Sequence, residues 1–479
     1  MQMAEKLVED VDVINFLMKN NILIFMIFIC GLGFSQDDIN RSYKKKVLEN
    51  IEMDFLSSYY TQEGSNASVT GGIGTEDLED FNPTIIVSIP LNDDDIISFD
   101  YGISTYTSAS SSNGNPFDAG TDRNQTSSPW YSSSGASKVD TWRSLNIDYS
   151  HSSDDRNTVI TANISNAKEW DYESYGFGAG LTKLSNNKNT SYTLSTKIFI
   201  DKWMPIYPKE LGSYVDVDGD TEIGFFYDKT IYDEKGIVSN KWSLPSNFEL
   251  INNKSRNTYS ISFLFSQILN KDAQLAFFID FIKQDGWLAN PLQRVYFSDV
   301  KNYYIGNPAS IPFYTSSQNK DVFHLADDIE RLPKTRTKIP LGLRFNYYLN
   351  ENLTLRSYYR FYTDNWGVNS HTLSLEIPIK FLDSFTFYPS YRFYTQSEAR
   401  YFKPYDQHLS TSEYYTSDYD LSKFKSNQFG FGIKYVDIFT KFNLWGLALK
   451  SIDFNYGSYN RDNDFSSEIA SLGFKFITN

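Results

Sequence analysis

The sequence predicts an all-β chain: a sixteen-stranded antiparallel transmembrane β-barrel with short turns at one end and long loops at the other. Three observations carry this expectation: long segments of strict apolar–polar alternation, the placing of turns and loops between them, and an apolar leader. The alternation is clearest from Ile339 to Tyr394. Ile339, Leu341, Leu343, Phe345 and Tyr347 face away from Gly342, Arg344, Asn346 and Tyr348. Leu353, Leu355, Tyr359 and Phe361 face away from Thr354, Arg356, Tyr358, Arg360 and Tyr362. Leu373, Leu375, Ile377 and Ile379 then oppose Thr372, Ser374, Glu376 and Lys380, and Phe385, Phe387, Tyr391 and Phe393 oppose Thr386, Tyr388, Arg392 and Tyr394. Successive side chains leave opposite faces of a strand, so a period of two marks β structure. Soluble strands run ~5–6 residues and tilted membrane-crossing strands ~9–11; these segments reach the longer value. Alternation alone also fits a soluble sandwich, whose apolar face would enter a core rather than lipid.

The leader separates the two. Lys19 precedes the apolar run Ile22 to Leu32, followed by Gly33, Phe34 and Ser35, which is the layout of a secretory signal peptide over residues 1–35. Residues 1–17 are acidic and do not suit its positive start, so translation is expected to begin at Met18; the alternative is a genuine extension. Cys30 is the only cysteine. Phe28 and Ile29 before it do not suit lipidation, and the mature chain has no disulfide or thiol chemistry.

Composition points the same way. A net charge of −15 argues against nucleic-acid binding. The 37 Phe, 35 Tyr and 8 Trp suit rings at a water–lipid boundary. After the leader, no window of ~18 apolar residues offers a spanning helix.

Each element follows in order. Residues 36–50, with Arg41, Lys44, Lys45 and Lys46, read as a periplasmic lead-in to a barrel domain over 51–479. Strands are expected near 51–62, 83–91, 96–107, 142–151, 157–166, 175–181, 190–201, 257–269 and 273–283. The four segments above follow, then strands near 429–435, 450–459 and 467–477, making sixteen. Turns fall at Asp93–Asp95, Ser153–Arg156, Asn186–Asn189, Asn270–Asp272, Asn350–Asn352 and Leu382–Ser384. All lie on one side of the membrane if the first strand runs outward. The long segments Ser108–Asp140, Lys202–Arg256, Gly286–Thr335 and Gln396–Lys425 all lie on the other; a hairpin is expected near Glu222–Lys229 within the second. Barrels have even strand numbers, short periplasmic turns and long outer loops, whereas a sandwich has no reason to segregate them. Pro378 and Pro389 conflict with continuous strands and should each mark a bulge or strand end.

Several stretches resemble a family of outer-membrane proteins known as domain of unknown function 3570. They are Ser57-Ser58-Tyr59-Tyr60, Val69-Thr70-Gly71-Gly72-Ile73-Gly74-Thr75-Glu76, Tyr106 to Ser110, Ala326-Asp327-Asp328-Ile329-Glu330-Arg331-Leu332-Pro333, Tyr388 to Tyr394, Tyr405-Asp406-Gln407-His408-Leu409-Ser410-Thr411 and Ser417 to Ser422. The resemblance implies a Gram-negative outer-membrane barrel without an assigned activity. It makes Gly71, Gly72, Gly74, Glu76, Asp327, Asp328, Glu330, Arg331 and His408 candidate loop-site residues. It also implies periplasmic partners such as a small lipoprotein or a redox protein.

Three constellations could carry chemistry. Arg344, Arg356, Arg360, Glu376, Lys380, Arg392 and Lys434 share the lumenal face, either as a basic strip that draws anions or as an ion-pair ladder filling the lumen. His371 and His408 lie near hydroxyls and are the candidates for hydrolase chemistry, although adjacent strand residues point apart. Asp216, Asp218 and Asp220 alternate as calcium ligands can, but lack the Gly and Glu of a calcium hand; a solvated acidic turn is the simpler reading. The glycines of 71–74 do not link a strand to a helix, as a phosphate loop does. The sequence therefore points to a non-enzymatic pore or an export or assembly platform in outer-membrane lipid, with an outer-membrane hydrolase as the alternative.

Overall fold

The computed structural model describes residues 46–107, 139–239, 241–244, 248–252, 254–444 and 446–478. The leader, Met18, Cys30, most of the lead-in and the segment 108–138 lie outside them.

Sixteen antiparallel strands form a sheet that closes on itself. They are β1 (Glu52–Gly64), β2 (Leu78–Pro90), β3 (Asp95–Thr107), β4 (Val139–Ser152), β5 (Thr158–Lys168), β6 (Tyr172–Ser185), β7 (Thr190–Trp203) and β8 (Ser255–Asn270). Next come β9 (Ala273–Gly286), β10 (Thr335–Asn350), β11 (Leu353–Asp364) and β12, in two pieces, Asn369–Glu376 and Ile379–Leu382. β13 (Phe385–Gln396), β14 (Phe424–Val436), β15 (Leu447–Arg461) and β16 (Phe465–Thr478) complete the ring. The seam pairs β1 with β16 from Glu52↔Ile477 to Gly64↔Phe465. Lys475 fastens it, reaching Glu52 at 2.7 Å and Asp54 at 3.3 Å.

Register fixes the faces. Arg344 lies opposite Tyr358, Arg356 opposite Glu376, and Arg392 opposite Gln428, so charges and hydroxyls share one side around the ring. The other side carries Ile164, Phe177, Leu194, Ile261, Leu373 and Phe429, all exposed. A soluble protein does not leave such a continuous apolar band in water. The band faces lipid and the charges face the lumen, as the alternation predicts.

The two prolines behave differently from one another. Pro378 splits β12, as expected, but Pro389 sits in unbroken β13 opposite Phe431. The Pro389 carbonyl accepts from the Ile377 amide. A strand residue's N–H and C=O point to the same neighbour, so the donor that Pro389 lacks faces the interruption at Ile377–Pro378. One break accommodates both prolines.

Turns 91–94, 153–157, 186–189, 271–272, 351–352 and 383–384 lie at one end of the ring with the longer 437–446. The opposite end carries 65–77, 204–254, 287–334 and 397–423, alongside three tight connections at 169–171, 365–368 and 462–464. Those longer segments are folded rather than open. Residues 204–254 contain a helix, α1 (Lys209–Asp216), a single 3-10 turn at Gly224–Phe226, and a short strand, Ile231–Asp233, whose Tyr232 bridges Val238 in a hairpin a few residues beyond the place the sequence suggested. That strand joins Tyr303–Gly306 and Val322–His324 in a small separate sheet. Its hydrophobic core includes Leu211, Phe226, Trp242, Tyr296, Ile305, Phe323 and Leu325, all buried.

The position of this cap follows from ring arithmetic. The β1–β2 and β9–β10 hairpins are half a ring apart, yet their loops touch: the Arg294 guanidinium donates to the Val69 carbonyl. Ile73 and Tyr405 pack on the same core. The cap therefore bridges the mouth of the barrel.

Candidate functional site

Two sites emerge, one in the cap and one on the lumenal wall. Of the family-like stretches, 69–76, 326–333, 405–411 and 417–422 converge in the cap, while Ser57–Tyr60, Tyr106–Thr107 and Tyr388–Tyr394 lie in β1, β3 and β13. Arg294 and Glu210 form a bidentate ion pair at 2.7 and 3.2 Å, with side chains 1% and 0% exposed. This pair ties the β9–β10 loop to the β7–β8 loop while Arg294 holds the β1–β2 loop. Gly71, Gly72 and Gly74 all have positive φ. A Cβ on Gly71 would stand 2.5 Å from the Tyr296 ring, and one on Gly72 would stand 2.8 Å from the Ser417 carbonyl. Their glycines permit close packing of loop on loop, not a phosphate cradle. The Glu76 carboxylate accepts from the Asn66 amide at 3.0 Å, and burial pushes its pKa up.

The 326–333 stretch is buried and partnered. The Asp327 carboxylate accepts from the Phe297 amide at 2.7 Å, and Glu330 from the Asn290 amide at 2.6 Å. Arg331 donates to both Asp328 oxygens at 2.8 and 3.0 Å, and the Tyr415 hydroxyl also donates to Asp328. Burial pushes Asp327 and Glu330 up to about 8. His408 donates through Nε2 to the Thr416 carbonyl at 3.0 Å, and burial lowers it to about 4. These candidates are thus brought together, but as the interior of the cap rather than an open site.

At the cap's centre is a residue the sequence reading missed. His324 lies between the rings of Tyr296 and Tyr304 at 4.2 and 4.7 Å, with Nδ1 2.6 Å from the Tyr405 hydroxyl. Its Nε2 is buried without a partner, and burial lowers its pKa to about 3. The signal was available: Val322-Phe323-His324-Leu325 is too apolar for a solvated loop.

Neither proposed catalytic histidine is paired with a nucleophile. His371 is on the lipid-facing side of β12, 2.8 Å from the Tyr359 hydroxyl, while Ser370 and Thr372 face the lumen. The hydroxyl of Ser410 near His408 is bonded instead to Asp299 at 2.8 Å. Asp216 ends α1 rather than lying in an acidic turn, and Asp218 and Asp220 follow it. Asp220 accepts from the Glu222 amide at 2.8 Å. Among the described residues no group of three or more His, Cys, Asp or Glu side chains could hold a metal.

On the wall, some of the lumenal charges are paired and others are not. Arg356 pairs with Glu376 at 2.8 Å, Lys434 with Asp453 at 3.1 Å, and Lys380 with Asp383 at 3.4 Å. Arg344, Arg360 and Arg392 form no ion pair among the described residues. Arg344 rests over the Tyr358 ring at 5.9 Å, and Nε of Arg360 is buried without an acceptor. Asp100 and Asp148 face the lumen from β3 and β4, eight strands from β11 and β12, and so sit on the opposite wall.

A closed ring of sixteen strands, apolar outside and charged inside, defines a transmembrane β-barrel of the outer-membrane type. The chain belongs to the family described as protein of unknown function (DUF3570), whose model matches residues 33–456. Similar solved structures include a bacterial polysaccharide outer membrane secretin, 9% identical with a TM-score of 0.42 over 90% of this chain and 99% of that one. The TodX monoaromatic hydrocarbon channel, as a deltaS2 mutant, is 8% identical with a TM-score of 0.38 over 90% and 91%. The outer membrane protein OpdK of Pseudomonas aeruginosa is 8% identical with a TM-score of 0.36 over 89% and 99%. No curated protein matches the sequence.

Proposed function

We propose that this chain is an outer-membrane channel for small solutes, with a charge-polarised lumen and a folded outer cap that governs entry. The carrying observation is the trio Arg344, Arg360 and Arg392, without an ion pair among the described residues and facing Asp100 and Asp148 across the ring. Unpaired arginines on β10, β11 and β13 facing carboxylates across the ring create a transverse field that orients a charged solute and concentrates its counter-charge. In a planar bilayer under a KCl gradient, the triple variant Arg344→Ala, Arg360→Ala, Arg392→Ala is expected to shift the reversal potential toward cation preference. An unchanged potential would remove the strip from the mechanism.

A second reading, a platform for a periplasmic partner such as a small lipoprotein or a redox protein, is favoured by the turn 437–446. Ile438, Phe439 and Phe442 are exposed there, at the end of the ring otherwise built from tight turns. Co-purification from detergent-solubilised membranes that is lost in Phe439→Asp would support it; a channel that purifies alone and conducts supports the first reading.

A further inference from the structure

The lumenal wall is not smooth between β7 and β10. A recess of about 340 Å³ opens there, large enough for a small ligand. Along β9, Ala276 lies opposite Arg344 and Phe278 opposite Gly342; Asp280 is the next lumenal residue. The charges of Arg344 and Asp280 are therefore set on backbone positions roughly 14 Å apart, at ~3.4 Å per residue. Both side chains line the recess. Neither forms an ion pair or hydrogen bond among the described residues, with each other or with anything else. Both charges remain available for a ligand.

Between them is an apolar shelf. The Phe278 ring leans across Gly342, where a Cβ would stand 1.9 Å from it, and stacks on Tyr358 at 5.8 Å and 12°. Any larger residue at 342 would displace the ring. Ser195 and Ser262 offer hydroxyls from the facing strands. The wall thus presents, in sequence, a guanidinium, an aromatic face and a carboxylate, with hydroxyls alongside.

We propose that this recess binds a short zwitterionic peptide of two or three residues. Its terminal carboxylate meets Arg344, its ammonium meets Asp280, and an apolar side chain rests on Phe278. Both side chains line the same recess, so one ligand held in it meets both charges. A guanidinium binds a carboxylate in bidentate fashion, and a carboxylate accepts from an ammonium. A simple anion would meet Asp280, and a simple cation Arg344; a ligand bearing both charges satisfies both.

This inference names a solute class for the channel reading and rests on it, but its test is independent of conduction. Calorimetry on the full chain in detergent would compare alanyl-phenylalanyl-alanine with its N-acetylated and C-amidated forms. The free peptide is expected to bind at least tenfold more tightly than either blocked form. Arg344→Ala should abolish discrimination against the amide, and Asp280→Asn that against the acetylated form. Equal binding of all three peptides, or none, by a protein that conducts would overturn the recess and leave the channel standing. Selective binding by a protein that does not conduct would do the reverse. The blocked-peptide comparison on the unmutated protein decides the matter even if a variant fails to fold.

Discussion

At the scale of single residues, the cap hangs on Arg294. Removing it strands the Glu210 carboxylate in a wholly buried position, which costs about 3–5 kcal/mol. Arg294→Ala should therefore expose 204–254 and 287–334 to limited proteolysis, while Arg294→Met combined with Glu210→Leu restores most of the protection. Gly71→Ala should destabilise the cap by about 1–3 kcal/mol, because it forces both an unfavourable φ and a clash with Tyr296; amide exchange across 65–77 would measure it. The facing of the lumenal arginines was legible in the sequence, since parity along a strand sets the face. Their pairing was not. Whether Lys434 meets a carboxylate depends on β15 placing Asp453 beside it, and register between strands leaves no mark in either segment alone.

Among elements, strands and cap differ in the same way. Each strand carries its own period-two signal, so β1 to β16 were readable one at a time, with ends off by a few residues. The cap has no period: its core joins Ile73, Leu211, Tyr296, Phe323 and Tyr405 from four loops, and only their closure reveals it. The family-like stretches that fall in loops, 69–76, 326–333, 405–411 and 417–422, marked parts of the cap without showing that their residues serve one another.

The cap's buried groups make it pH-sensitive, and the sign can be worked out. Asp327 and Glu330 titrate at about 8 in the fold but near ~4 when unfolded. Unfolding between those values releases protons, so their contribution falls as pH rises. His324 and His408, held at about 3 and about 4 against ~6.5 unfolded, act oppositely, weakening the cap as pH falls. The two effects offset one another between ~4 and ~6.5. Above ~6.5 only the carboxyls titrate, and the cap should loosen by up to ~1.4 kcal/mol per pH unit for each group until about pH 8. Proteolysis of 287–334 should accelerate over that interval, and Asp327→Asn with Glu330→Gln should flatten the profile.

For the whole molecule, closure and capping are separate achievements of one chain. The ring satisfies every strand edge, which lipid demands, and its fastening at Lys475 is local to the seam. The cap is built from loops half a ring apart, so its integrity reports on the entire mouth. The most direct test is single-channel conductance in a planar bilayer, comparing the unmutated chain with Arg294→Ala. A capped barrel should conduct weakly until the variant releases the loops, and then in large, stable steps. Equal conductance in both proteins would contradict a cap that governs the mouth.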